Sequence, residues 1–403
     1  MAEKPASSIR SADAAGAATT AGASSAAARG EAAPAVKRGW ASFDVHTRNR
    51  ILFAAFVAFL LLYPLIDRAL GIGRMGSMNP ILVFTLLALG LNIVVGFAGL
   101  LDLGYAAFFA IGGYTVAFLT APQSPLVQAG YVADYWSALL ISFVVAAVFG
   151  LILGAPTLRL RGDYLAIVTL AFGEIVPQAI RNLETITNGT KGMNPTGRPT
   201  FGNVELLASD QVPWYYLILA VTAISVFIIV RLRDSRLGRA WMAMREDEIA
   251  AASMGINLVK TKLLAFALGA SFSGFGGALY ASMLQYIGPD QFDFSISIVL
   301  LAMVIMGGIG NIWGVIFGGV VLGTFNFILV DSVSGWFRAL SRILNAPFLA
   351  QIDLVNSKLL IFGLALVLMM LLRPEGIFPS AQRQAEMRRG RARPGTGANG
   401  AGA

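Results

Sequence analysis

Few side chains in this 403-residue chain are of a kind that does covalent chemistry. Cysteine is absent, which removes a thiolate nucleophile, a thiolate metal site and any disulfide framework. The single histidine, His46, stands in a polar stretch near the N-terminus, so a histidine-based triad or a multi-histidine metal centre inside a membrane core is excluded. "GIGRMG" at 71–76 has the spacing of a dinucleotide-binding turn. It joins two apolar runs, however, with no strand before it and no ribose-binding acid at the right distance. Catalysis by this chain alone, a bound cofactor and a nucleic-acid partner are therefore not expected. Two arrangements of charge are left. Glu174 lies inside the apolar run "LAFGEIVPQAI", between Gly173 and Pro177. "REDEIAAASMGI" at 245–256 sets Arg245 and the acids Glu246, Asp247 and Glu248 ahead of helix-favouring Ile249 to Ala252, and ends near Gly255.

The elements that hold these groups are greasy. The chain is 56% hydrophobic and 13% charged, about half the charge of a soluble domain, which points to an all-α polytopic membrane protein. Apolar runs long enough for about 30 Å of hydrocarbon recur ten times, near 51–66, 80–97, 104–120, 136–155, 163–180, 213–230, 263–283, 295–309, 313–330 and 358–372. Backbone in lipid must satisfy its own hydrogen bonds, and the period-2 alternation of a barrel is missing, so these runs are expected to be helices. The runs at 104–120 and 295–309 are short and are candidates for broken or re-entrant segments. The alanine-, glycine- and serine-rich residues 1–50 are expected to be a disordered tail, and 374–403 a second tail.

Charge orients the bundle. With both termini inside, 22 of the 30 lysines and arginines fall on the cytoplasmic side, among them Arg48, Arg50, Arg159, Arg161, Arg231, Arg233 and Arg373, and none falls within a span. The 231–262 loop is then cytoplasmic and the 181–212 loop external. The acids at 246–248 suit the positive end of a helix over 246–254, and Gly255 supplies the left-handed residue that stops it. Such a helix is either a tidy loop on the membrane surface or a docking element for another protein.

Inside the membrane, Glu174 costs ~3 kcal/mol or more unless it faces a water-filled path or pairs with a neighbour such as Asn92 or Asn182. Asp102 and Asp163, near helix ends, are explained by snorkelling or capping. Glycines crowd two regions, 96–113 and 307–323. Most suit close helix packing, with breaks at Gly99 and Gly310 as the better candidates for pathway backbone. The path candidates are Gly99, Tyr105, Gly173, Glu174 and Gly310.

Five stretches carry a family resemblance. "RAWMAMREDEIAAASMGIN" (239–257) contains E-x-A-A-x-x-x-G through Glu248, Ala250, Ala251 and Gly255, and resembles the coupling loop of ABC importer permeases. "GFAGLLDLGYAAFFAIGGY" (96–114), "LRGDYLAIVTLAFGEI" (160–175), "TNGTKGMNPTGRPTFG" (187–202) and "RPEGIFP" (373–379) resemble, in this order, the LivM-type permease subunits of branched-chain amino acid ABC importers. The resemblance covers about 51–380. It implies a type II ABC importer-like permease of the bacterial inner membrane. The implied partners are a second homologous permease, two cytoplasmic ATPase subunits and a periplasmic substrate-binding protein, with a small amino acid as substrate. It also implies that Arg245, Glu246, Glu248, Ala251 and Gly255 belong to the element that meets an ATPase. The chain has no G-x-x-x-x-G-K-[ST] phosphate loop, so ATP is expected to be hydrolysed by the partners. Related permeases carry urea or short amides, and an ion-coupled transporter using Glu174 is the reading from another class.

Overall fold

The computed structural model describes residues 45–335 apart from 72, 158, 159, 161, 162, 195, 203 and 331, together with 357–372. Both tails, Arg159, Arg161, the "RPEGIFP" stretch and 336–356 lie outside the described residues. The chain divides into two compact units, 1–59 and 60–403. In the first, residues 45–59 are continuous helix, and the second carries the rest of the fold.

All ten apolar runs are helical. They correspond to α1 (Val45–Leu70), α2 (Met75–Leu91, continued by a π-helical turn, Asn92–Phe97), α3 (Tyr105–Thr120), α5 (Tyr135–Thr157) and α6 (Asp163–Asn182). They continue with α8 (Gln211–Arg233), α11 (Leu258–Leu284), α12 (Phe294–Gly307), α13 (Ile312–Thr324) and α14 (Lys358–Leu372). Four short helices lie in the connections: α4 (Pro125–Gln128), α7 (Glu184–Thr187), α9 (Arg236–Glu246) and α10 (Glu248–Ser253). Among the described residues eight helices are long and apolar enough to cross a membrane; the described apolar core of α14, Leu360–Met369, is shorter. Several ends differ from expectation. α1 starts at Val45, inside the expected tail, because nothing in "VHTRNR" breaks a helix. α11 starts at Leu258, where Asn257 Oδ1 accepts from Lys260 N at 3.1 Å, so Lys262 lies within a spanning helix after all. Strand pairing among the described residues is confined to the 181–212 loop and its contact: a hairpin of Thr200–Phe201 with Val204–Glu205, and a Met193–Ile287 bridge.

Helix α2 is the axis. Nearly all of its apolar length is buried, and it packs against α8, α11, α12 and α13; α11 in turn packs on α3 and α5. A helix that is apolar all round belongs at the centre of such a bundle. Outer faces stay apolar as well: Leu140, Val144, Val148 and Ile152 of α5 and Ile224, Phe227 and Ile228 of α8 are exposed. That is the surface of a polytopic membrane protein, whose solvent there is lipid. With no hydrophobic drive between helices in lipid, packing depends on close approach. A Cβ at Gly112 of α3 would stand 2.5 Å from Gly274 Cα of α11, and one at Gly307 of α12 would stand 2.3 Å from the Gly314 carbonyl of α13. Pro64 in α1 cannot bond the Leu60 carbonyl; Tyr215 of α8 does so instead, its hydroxyl donating at 2.7 Å.

Candidate functional site

Both glycine clusters end at one place. The π-helical turn that finishes α2 brings Asn92 Oδ1 to 2.9 Å from the Gly310 amide, in the break between α12 and α13. Gly99 (φ +71°), Gly308 (φ +111°) and Gly310 (φ +83°) take backbone conformations that side chains rarely adopt, which is why the breaks occur there. Arg245, near the end of α9, reaches into this junction. Its Nη1 donates to the Gly96 carbonyl at 2.6 Å, and its stem lies so close to Gly99 that a Cβ there would be 2.6 Å from Arg245 Cγ. A Cβ on Gly310 would be 3.2 Å from Arg245 Nη1.

From this junction the chain turns back into the bundle. Residues 98–104 are non-helical and mostly buried. At their far end Leu103 N donates to Thr169 Oγ1 of α6 at 3.0 Å, and Ala106 N to Ser297 Oγ of α12 at 3.0 Å. Ser297 precedes Gly307 in α12 by ten residues, so the tip lies about 15 Å from the α12–α13 break. An extended run from Gly99 to Gly104 covers about that distance. The short span at 105–120 is thus entered through a re-entrant segment rather than broken within itself. Asp102, wholly buried in this segment, accepts from Gly104 N at 2.9 Å in a turn just ahead of α3, so it neither snorkels nor caps the helix. Gly104 packs on α6 so closely that its Cβ would stand 2.0 Å from the Thr169 carbonyl; one on Gly173 would stand 3.0 Å from Gly104 Cα.

On its other side α6 turns a separate face outward. Tyr164, Ile167, Ala171, Glu174, Gln178 and Asn182 are exposed and recur at three and four residues, hence along one stripe. Glu174 therefore does not pair with either expected neighbour. Asn92 is held at Gly310, and Asn182 accepts from Gln178 at 3.4 Å. Pro177 removes the helical bond to the Gly173 carbonyl just beside it.

The 246–254 helix is two elements. Asp247 is extended (φ −155°) and ends α9 at Glu246, then caps α10, its Oδ1 accepting from Ile249 N and Ala250 N at 2.8 and 2.9 Å. One acid thus caps the helix, Glu246 belongs to the helix before it, and Glu248 opens α10. Gly255 (φ +85°) closes α10, with Ile256 N bonded to the Ala251 carbonyl and Gly255 N to that of Ala252. Ala251 is buried; Ile249 and Met254 are 71% and 83% exposed and face away from the bundle. Glu248 points inward, 2.6 Å from Lys262 Nζ, a lysine only 5% exposed and one that a reading by spans passes over.

The candidate residues thus sort into four groups. Arg245, Gly99 and Gly310 meet at one junction; Gly173 packs against the re-entrant segment; Glu174 faces outward; and Glu246, Glu248, Ala251 and Gly255 build the α9–α10 corner. Tyr105 is a core brace, fully buried beside Gly90 and donating to the Gly269 carbonyl at 2.8 Å, rather than a wall of a path. Asn92, Thr169 and Lys262 are site residues that sequence reading did not single out as such.

A bundle with lipid-facing outer helices, a re-entrant segment at depth and a capped polar helix at one end defines a membrane permease. More narrowly, the chain belongs to the family described as the permease component of branched-chain amino acid transport systems, whose model matches residues 75–370. It is 38% identical over 333 residues to the high-affinity branched-chain amino acid transport system permease protein LivM of Salmonella typhimurium, covering 77% of this chain and 71% of the relative. It is 25% identical over 257 residues to the corresponding LivH permease of Escherichia coli (60% and 79%). It is 24% identical over 285 residues to the ribose import permease protein RbsC of Haemophilus influenzae (69% and 82%). No solved structure matches the chain.

Proposed function

We propose that the chain is one permease subunit of an ATP-driven importer for branched-chain amino acids, in the bacterial inner membrane. The observation that carries this is the α9–α10 corner in a chain of this family. Ile249 and Met254 form an apolar tip on a short helix fixed by Asp247, Gly255 and Lys262, which is what a partner ATPase needs to grip. A self-sufficient ion-coupled transporter has no use for that tip. In this reading the corner and both termini are cytoplasmic, and the 181–212 loop faces the binding protein outside. The partners are a second permease, two ATPases that hydrolyse the ATP, and the binding protein; no cofactor is held by this chain.

The α6 stripe then faces the second permease across a water-lined path. Exposed to lipid, the Glu174 carboxylate would cost ~3 kcal/mol or more, and only a wet or paired surroundings removes that cost. A zwitterion with an aliphatic side chain suits a path whose outward α6 side chains include Tyr164, Ile167, Glu174 and Gln178. Reconstitution with the second permease, both ATPases and the binding protein should give ATP-dependent uptake of leucine, isoleucine or valine into proteoliposomes. Uptake of urea with none of these three would overturn the substrate, and uptake without ATPases the class.

A further inference from the structure

We infer that Arg245 is a positioning residue that passes the motion of the α9–α10 corner, through the re-entrant segment 98–104, to helix α6 and its Glu174 face. The inference rests on the coupling role proposed above and goes beyond it by naming the internal route.

Arg245 is set apart from the docking tip by direction. Ile249 and Met254 project outward, while Arg245, half-buried, turns into the permease and bonds the Gly96 carbonyl. Its guanidinium lies where the end of α2 meets the α12–α13 break, which Asn92 joins at Gly310. Two glycines, Gly99 and Gly310, make room for it, and both carry positive φ. Its planar, always charged fork bonds the Gly96 carbonyl while its stem lies on Gly99 and Nη1 lies beside Gly310, a fixed geometry that a lysine's flexible ammonium does not reproduce.

What Arg245 holds is the base of a strut. Residues 98–104 are anchored at the base, where Ala98 N and Leu100 N bond the Ile93 and Val94 carbonyls, and they are pinned at the top by Thr169 and by the contact of Gly104 with Gly173. Backbone-on-backbone contact at Gly104 leaves no compressible side chain between strut and helix. A displacement at the base is therefore delivered to α6 at Thr169–Gly173. Glu174 is the next residue, and Pro177 has already removed one helical bond there, so the outer half of α6 can tilt. The Glu248–Lys262 pair ties α10 to α11 separately, which holds the corner to the bundle while Arg245 reads its movement.

The test uses the reconstituted five-component complex and reads amino acid imported per ATP hydrolysed. Arg245→Met keeps the stem on Gly99 and deletes the guanidinium. It should leave the complex assembled and ATP hydrolysis within about 3-fold of the parent, while the transport-to-ATP ratio falls roughly 10-fold or more; Arg245→Lys should restore part of that ratio. A fluorophore on Ala179→Cys, in a chain that has no other cysteine, should respond to ATP in the parent and not in the Arg245→Met background. An unchanged ratio, a retained fluorescence response, or loss of assembly in Arg245→Met each overturns the inference. Ile249→Asp with Met254→Asp serves as the control for the reading beneath it. If that pair leaves the ATPases bound and uptake intact, the coupling role itself fails, whatever Arg245 does.

Discussion

Breaking the Glu248–Lys262 pair should loosen α10 without loosening the bundle, and the two ways of breaking it should differ in size. The ion pair is short, 2.6 Å, but lopsided: the lysine side chain is 7% exposed and the glutamate 26%. Glu248→Gln strands an ammonium where water barely reaches. Removing one partner of a buried pair costs ~3–5 kcal/mol, and partial solvent screening on the glutamate side brings this to about 2 kcal/mol. Lys262→Met keeps the packed stem and leaves a carboxylate that can turn toward water, so its cost should stay below about 1 kcal/mol. The double variant should return close to Lys262→Met alone, since the stranded charge is gone. Hydrogen exchange on the protein in lipid nanodiscs reads this locally, at the amides of Ala251, Met254, Gly255 and Ile256, whose bonds close α10. A local loss of about 2 kcal/mol is roughly 30-fold faster exchange there, with α11 amides near Ala270 unchanged. The reasoning is refuted if Lys262→Met costs as much as Glu248→Gln, or if exchange rises equally in α10 and in the middle of α11.

Three further outcomes follow from other parts of the fold. Gly112→Ala should destabilise by about 3 kcal/mol or more, because the added carbon meets Gly274 backbone at 2.5 Å; Gly363→Ala, with nothing within 4 Å, should be neutral or stabilise by about 0.5 kcal/mol, and thermal unfolding in detergent ranks the two. Tyr215→Phe should cost about 1–2 kcal/mol by leaving the Leu60 carbonyl unbonded beside Pro64, and a melting temperature equal to that of the parent would show the hydroxyl idle. Lys191→Cys and Ser253→Cys, both at exposed positions, should react with an impermeant maleimide from outside and from inside respectively; labelling of both from the same face, or with the faces exchanged, would overturn the topology. Gly192 is unsuited to that purpose, because a Cβ there would stand 2.3 Å from the Ile287 carbonyl.

Ten helices are legible in the sequence because hydrocarbon leaves the backbone so few options, and each apolar run declares itself without reference to its neighbours. Helix ends are less so, since they depend on single caps: Asn257 sets the start of α11 five residues ahead of its apolar run, and Asp247 splits one polar helix into two. Gly255 was readable by type and place, because a left-handed stop after a short capped run asks for glycine. The hairpin at 200–205 was not, being two residues per strand and carrying no alternation long enough to see.

The junction shows a different limit. Gly99 and Gly310 stand out as breaks, and Arg245 stands out as a charge beside a loop helix, but their meeting depends on contacts across 149 residues (Gly96 with Arg245) and 218 (Asn92 with Gly310). No local pattern encodes such pairings. What the sequence does record is their cost: glycines where these helix backbones come together, and an asparagine within an apolar run that needs a partner in lipid. Glu174 shows the converse. Its type and depth made it a candidate, and the natural assumption was an internal partner, because a carboxylate in hydrocarbon must have one. Within this chain it has none among the described residues and sits on an exposed stripe, so the requirement does not vanish; it moves to whatever covers α6. An unmet electrostatic need on one subunit is thus a physical argument that the functional unit is larger than the chain, made before any partner is identified.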